Sequence, residues 1–309
     1  MPEDDLQQLA RIRPNLERRA VTLDFIRDFF NKQNFLEVET PVRVPAVAPE
    51  PYIIPIESDG WFLSTSPELH MKRLLAARYE RLFQFSRCFR KGERGRWHNP
   101  EFTMLEWYRA GADYNIIIRD IELLITGLAK KFGFKKVINY AGIAIDISPP
   151  WPRTTVKDAF LGAAGWDPVK ETDPRRFDID FVEKVLPSFN ARRPTVLVDY
   201  PAPMASLARL KPGDAAVAER AEVFIGGLEL ANIYSELADP AEQEKRFKEA
   251  LEEIQRERGQ KMAMPQRFME ALTKMPACGG VALGIDRLVM LFCDARTIDD
   301  VMAFTQDNA

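Results

Sequence analysis

The run RKGERGRWHNPEFTMLEWY, residues 90–108, sets four basic residues around two glycines and a proline, then turns mostly apolar and aromatic with the carboxylate of Glu106 among those residues. Strand parity sorts it. In an extended chain alternate side chains share a face, so Phe102, Met104, Glu106 and Tyr108 fall on one side and Thr103, Leu105 and Trp107 on the other. The preceding RLFQFSRCFR (81–90) sorts the same way. Phe83, Phe85, Arg87 and Phe89 share one face, and Gln84, Ser86, Cys88 and Arg90 the other. The phenylalanines are assigned to the core, where Arg87 would need a partner. If the two strands pair as a hairpin, an arginine, an aromatic ring, a carboxylate and a phenol share one surface.

EVFIGGLEL (222–230) reads as two strands joined by a Gly-Gly turn. With Ile225 opposite Leu228, Phe224 faces Glu229, and Glu222 and Glu229 become diagonal neighbours on one face, about 7–8 Å apart. That separation suits two carboxylates sharing a divalent ion, although the element taken alone also reads as an ordinary hairpin with solvated glutamates. Asn232, Tyr234 and Glu236 share a parity that is not that of Glu229, so a bulge or a twist must intervene if all line one pocket. GGVALGIDRLVMLF (279–292) reads as a short strand, a glycine break and a helix. Arg287 stands in the first helical turn, the end a helix dipole makes unfavourable to cations, and so calls for an anionic or aromatic partner.

Elsewhere, Leu16, Ala20, Leu23, Ile26 and Phe30 mark an amphipathic helix over 15–33, FLEVETP (35–41) is strand-like, and TSPELHMKRLL (65–75) leads into a helix with Pro67 at its first position. Residues 145–200 read as a helical insertion, and 240–275 as mostly charged helix with a solvated face. The 309 residues carry 43 basic and 46 acidic side chains, a formal charge of −3, which offers no general grip on nucleic acid. The start, MPEDDLQQLA, lacks the apolar segment of a leader, and no apolar run approaches the roughly 20 residues of a membrane span. A cytoplasmic location is expected. Cys88, Cys278 and Cys293 fit reduced, mostly buried thiols, and only His70 and His98 exist, which excludes a histidine-rich zinc site.

These blocks resemble the signature motifs of class II aminoacyl-tRNA synthetases, and within them the lysyl branch: 35–41 is similar to motif 1, 90–108 to motif 2 and 279–292 to motif 3. Motif 1 begins at Phe35, which leaves no room ahead of it for the anticodon-binding barrel of that branch. HNPEFTMLEWYR (98–109) and VALGIDRLVML (281–291) are similar to the paralogues that attach β-lysine to elongation factor P. Ser66 and Ala282 stand where the tRNA-charging enzymes typically have alanine and glycine. The resemblance implies an α+β fold, an antiparallel sheet flanked by helices, as a single catalytic domain over 1–309, and a homodimer formed through motif 1.

It also implies the chemistry. Lysine or β-lysine is activated by ATP as an adenylate and passed to an amine of elongation factor P. Arg90 clamps the α-phosphate, Mg²⁺ sits on Glu222 and Glu229, Phe102 and Arg287 sandwich adenine, and His98 lies near the triphosphate. Glu106 and Glu236 receive the side-chain ammonium, with Tyr108, Asn232 and Tyr234 beside it. Glu68 takes the other amine, and Ser66 and Ala282 shape the pocket near the α-carbon. Transfer to tRNA, by a shortened synthetase, and a noncatalytic binding role are the competing readings. Two positions depart from the family pattern. Gly92 replaces the usual motif 2 glutamate, with Glu93 following, and Ile233-Tyr234 replaces Gly-Phe after Asn232. Ile233 either narrows the site or points into the core, and core packing is favoured because β-branched residues suit strands.

Overall fold

A computed structural model describes residues 5–309; of the acidic start, residues 1–4 lie outside the described residues. The chain divides into two compact units, one made of residues up to 110, 238–276 and 283–309, the other of 111–237 and 277–282.

The first unit is organised by the expected hairpin. Strands Arg81–Phe89 and Glu101–Ala110 pair antiparallel, with Gln84 opposite Glu106, Ser86 opposite Met104 and Cys88 opposite Phe102. Directly opposed residues share a face, so the two polar rows read from parity do coincide. Behind them Phe83 and Trp107 are buried against Phe30, with ring centroids 4.8 and 5.1 Å away. Arg87 is not in this core. It is exposed, 3.8 Å from Glu101, because the back face reaches solvent toward the end of the hairpin.

The first helix, Asp5–Asn31, is longer than its apolar stripe and passes through Pro14. Proline removes one helical hydrogen bond. Tertiary contacts on either side hold the helix: Arg11 bonds Asp300, Asn15 bonds the Asp300 carbonyl, and Arg18 bonds the Phe292 carbonyl. Ile12, Thr22, Ile26 and Phe30 are its buried positions, while Ala20 is exposed. The inward face also carries Arg19, which the apolar pattern could not include. FLEVETP contracts to a two-residue strand, Leu36–Glu37, parallel to Arg81–Phe89. Pro41, which has no N–H to give a ladder, follows closely. Helix Glu68–Ala76 takes Pro67 as its N-cap. Helix Pro240–Arg258 opens on Asp239, whose side chain accepts from the Ala241 and Glu242 amides, and closes on left-handed Gly259.

In the second unit the strands run in the order Arg153–Thr155, Thr195–Pro201, Asp214–Ile225, Leu228–Ser235 and Cys278–Gly284. The helical stretch read at 145–200 leaves and re-enters this sheet, since Arg153–Thr155 and Thr195–Pro201 are parallel neighbours. Between them helices Val156–Ala163 and Pro174–Asp180 bury Phe160 and Phe177 with Tyr200 and Phe224. The Gly226-Gly227 turn has φ of +61° and +82°, which only glycine adopts cheaply. Ile225 pairs with Leu228 and Phe224 with Glu229; a bulge then puts Val223 opposite Ala231 and Glu222 opposite Asn232. That is the irregularity the parity of Asn232, Tyr234 and Glu236 required.

The fold is α+β. Its long hairpins are antiparallel, with parallel pairing at Leu36–Glu37 and Arg153–Thr155. No helix among the described residues is long and apolar enough to cross a membrane.

Candidate active site

In the first unit, three elements converge on Glu106, which is 1% exposed. Ser66, just ahead of helix Glu68–Ala76, donates from Oγ to the carboxylate at 2.6 Å, and Tyr108, two residues along the same strand, donates at 2.8 Å. Burial first, and then the charge of Glu68, push the Glu106 carboxyl up to about 8; the two hydroxyls and Lys72 oppose this without cancelling it. Glu68 already holds a cation: Nζ of Lys72, one helical turn on and 1% exposed, lies 2.5 Å from its carboxylate. Ser66 Oγ also accepts from the Glu68 amide at 3.0 Å. Gln84, directly across the hairpin from Glu106, is buried, and its Oε1 has no hydrogen-bond partner. An open hollow lies alongside, lined by Val47, Thr65, Ser66, Glu68 and His70 among others.

The basic turn of the same unit divides its labour. Arg94 is bound to Asp299 and Asp307, and Arg96 donates to the Arg296 carbonyl, so these two fasten the turn. Arg90 stands 5.1 Å over the Phe102 ring, with its Nε buried and unbonded. Gly92, with φ +80°, turns the chain so that Glu93 comes 3.8 Å from Arg90. The glutamate displaced from its usual place by Gly92 thus still reaches this arginine. The contacts of Arg287 include His98 Nε2 at 2.5 Å and the Trp97 carbonyl at 3.4 Å. Partial burial and then the Arg287 charge lower the His98 pKa; facing a guanidinium, which only donates, Nε2 accepts in the tautomer that carries its proton on Nδ1. The neighbouring Asp286 is buried and accepts from Arg19 at 2.6 Å and from the Thr103 amide at 2.8 Å, which joins the first helix, the hairpin and helix Ile285–Cys293.

In the second unit, Glu222 is buried and bonded by Arg220 at 2.7 Å; Arg220 also lies over the Tyr200 ring at 4.4 Å and donates to the Met204 carbonyl. Burial raises the Glu222 pKa, Arg220 pulls it down, and the charge of Glu229 raises it further. Glu229 is near enough for its charge to act on the Glu222 carboxylate, and two carboxylates on one strand face are a donor set that fits a hard cation such as Mg²⁺. Among the described residues no group of three or more metal-ligating side chains exists. Asn232 donates to the Tyr234 hydroxyl at 2.9 Å and keeps a buried, unbonded Oδ1. Glu236 is buried, and Ala282 is partly buried on the strand Cys278–Gly284. Ile233 is fully buried on the opposite strand face from Asn232 and Tyr234, so it packs the core.

Three neighbours of the candidate residues escaped sequence reading. Lys72 was available as the i,i+4 partner of Glu68 on a helix, and Arg220 as the same-face neighbour of Glu222. Asp286 had no local signal, because both its partners are distant in the chain.

The chain matches the family of class II tRNA synthetases (D, K and N) over residues 5–308. It is 38% identical over 323 residues to an elongation factor P–(R)-β-lysine ligase of Salmonella arizonae, with 96% of each chain covered. A protein of the same name from Salmonella paratyphi A is 37% identical over 322 residues, again with 96% of each covered. A lysine–tRNA ligase of Dehalococcoides mccartyi is 35% identical over 326 residues, covering 97% of this chain but 66% of the relative, so the chain spans about two thirds of that enzyme's length. The motif-bearing hairpins, the strand-to-helix element carrying Arg287 and a match over nearly every described residue lead to one conclusion: the chain belongs to the class II tRNA synthetases of the D, K and N group.

Proposed function

We propose that the protein activates lysine, with (R)-β-lysine favoured, as an aminoacyl-adenylate and transfers the acyl group to a lysine side chain of elongation factor P. The observation that carries the amine specificity is Glu106: a deeply buried carboxylate, held by two hydroxyl donors, beside a second carboxylate. Such a site is complementary to an ammonium, which displaces the proton and pairs with the carboxylate, whereas a neutral side chain gains no ion pair there. The choice of acceptor is supported by the relatives named as elongation factor P–(R)-β-lysine ligases, matched over 96% of both chains.

In the first step a carboxylate oxygen of the amino acid attacks the α-phosphorus of ATP and the bond to pyrophosphate breaks. Arg90 binds the α-phosphate and steadies the charge developing on its oxygens. Phe102 and Arg287 hold adenine between them, and His98 orients Arg287. Glu222 and Glu229 would hold Mg²⁺, which supplies Lewis-acid charge to the phosphates. Glu106 and Glu236, with Tyr108, Asn232 and Tyr234, read the side-chain ammonium. Glu68, with Lys72 bound, supplies a carboxylate whose charge is largely balanced, so it orients the second amine more than it attracts it. In the second step a deprotonated acceptor amine attacks the acyl carbon and AMP leaves. The protein works in the cytoplasm as a homodimer assembled around Leu36–Glu37.

The test incubates enzyme, ATP, Mg²⁺ and labelled β-lysine with elongation factor P or with tRNA, and measures protein mass and acid-precipitable label. A mass gain on elongation factor P is expected. Label on tRNA alone would establish the tRNA-charging reading, and no lysine-dependent pyrophosphate exchange would leave only a binding role.

A further inference from the structure

We infer that Gln84 is a specificity-determining residue of the amino-acid site, its amide oxygen accepting an N–H of the substrate's side-chain ammonium beside Glu106. This rests on the reading of Glu106 as the ammonium carboxylate. Three observations carry it. Gln84 is the residue directly opposite Glu106 in the hairpin register, so both side chains rise from one sheet face as nearest cross-strand neighbours. It is 3% exposed, in a place where a polar side chain is rarely tolerated without a role. Its Oε1 is buried without a hydrogen-bond partner, a deficit folded proteins seldom carry.

The surroundings explain why an amide stands there. A primary ammonium presents three N–H donors and no acceptor. Ser66 and Tyr108 both spend their protons on Glu106. A further carboxylate beside Glu106 and Glu68 would raise the charge repulsion that already pushes protons onto Glu106. A neutral amide oxygen satisfies another N–H without adding charge. The substrate class it reads is a primary amine at the end of an alkyl chain.

The experiment measures affinities for lysine, as both the L-α and the (R)-β isomer, and for ATP by calorimetry, and thermal midpoints with and without lysine, for the wild type, Gln84→Met and Gln84→Leu. Each variant fills similar space without an acceptor. Lysine affinity should fall at least about tenfold, equivalent to about 1.4 kcal/mol, with ATP affinity within about twofold. The ligand-free midpoint should hold or rise, because an unpaired buried oxygen has gone. Unchanged lysine affinity in the variants, beside normal binding by the wild type, overturns the role of Gln84 alone. Absence of lysine binding by the wild type overturns the amine site and Gln84 with it. Failure of both variants to fold, or equal losses for lysine and ATP, assigns Gln84 to packing and also overturns the inference.

Discussion

Glu106 shows how one side chain can be chemically unlike its sequence. Its ordinary value is 4.5, and burial together with Glu68 lifts it to about 8 in the folded protein. The folded state therefore binds this proton more tightly than the unfolded chain does. The carboxyl favours folding most fully below the unfolded value, and that contribution is lost as pH rises from there through about 8. Binding has the opposite sign. An ammonium, with a pKa near 10.4, needs the carboxylate ionised, so lysine should bind more tightly as pH rises from about 6 to 8 and should expel close to one proton at pH 7. Calorimetry in buffers of different ionisation enthalpy measures that proton, and a pH-independent Kd would remove Glu106 from the ammonium site. Ser66→Ala, which deletes a hydrogen bond to the ionised form, should weaken lysine binding several-fold at pH 7 and recover much of it at higher pH. An altered α-lysine to β-lysine preference without a pH effect would instead give Ser66 the steric role its position suggests.

At the scale of elements, helix Glu68–Ala76 carries a buried ion pair within one turn. Lys72→Met leaves the Glu68 carboxylate uncompensated and should cost about 3–5 kcal/mol, read by urea unfolding. The double variant with Glu68→Gln should regain more than half, because no buried charge remains. Equal losses in single and double variants would mean that Lys72 serves packing alone. A second test concerns Gly279, where a Cβ would lie 2.7 Å from Ile117 Cγ1 and 3.0 Å from the Asp113 carbonyl oxygen. That strand runs against the start of helix Tyr114–Lys131. Gly279→Ala should cost about 1–3 kcal/mol through overpacking, and an unchanged thermal midpoint would show that the helix start yields freely.

For the whole molecule, light scattering at micromolar concentration should return twice the mass of the 35.4 kDa chain. The reason lies less in an open strand edge than in the apolar surface around motif 1. The strand is two residues long, and the exposed apolar side chains of its unit are Leu36, Val42 and Trp61 among others. A monomer at all concentrations would show that these faces stay in water. Much at this scale was readable from local pattern: the two hairpins, the Gly-Gly turn, the bulge near Glu229, the strand-to-helix element with Arg287, and hence the family. Parity and turn chemistry act between residues close in sequence, so they can be read along the chain. What the tertiary structure alone decided are quantities that depend on distant neighbours. Arg19 on the inner face of its helix, His98 against Arg287, Arg87 in solvent and Lys72 occupying Glu68 depend on which elements meet and where solvent reaches. The charge of Glu106 depends on them most of all, because desolvation is a property of a folded interior and no local pattern of residues carries it.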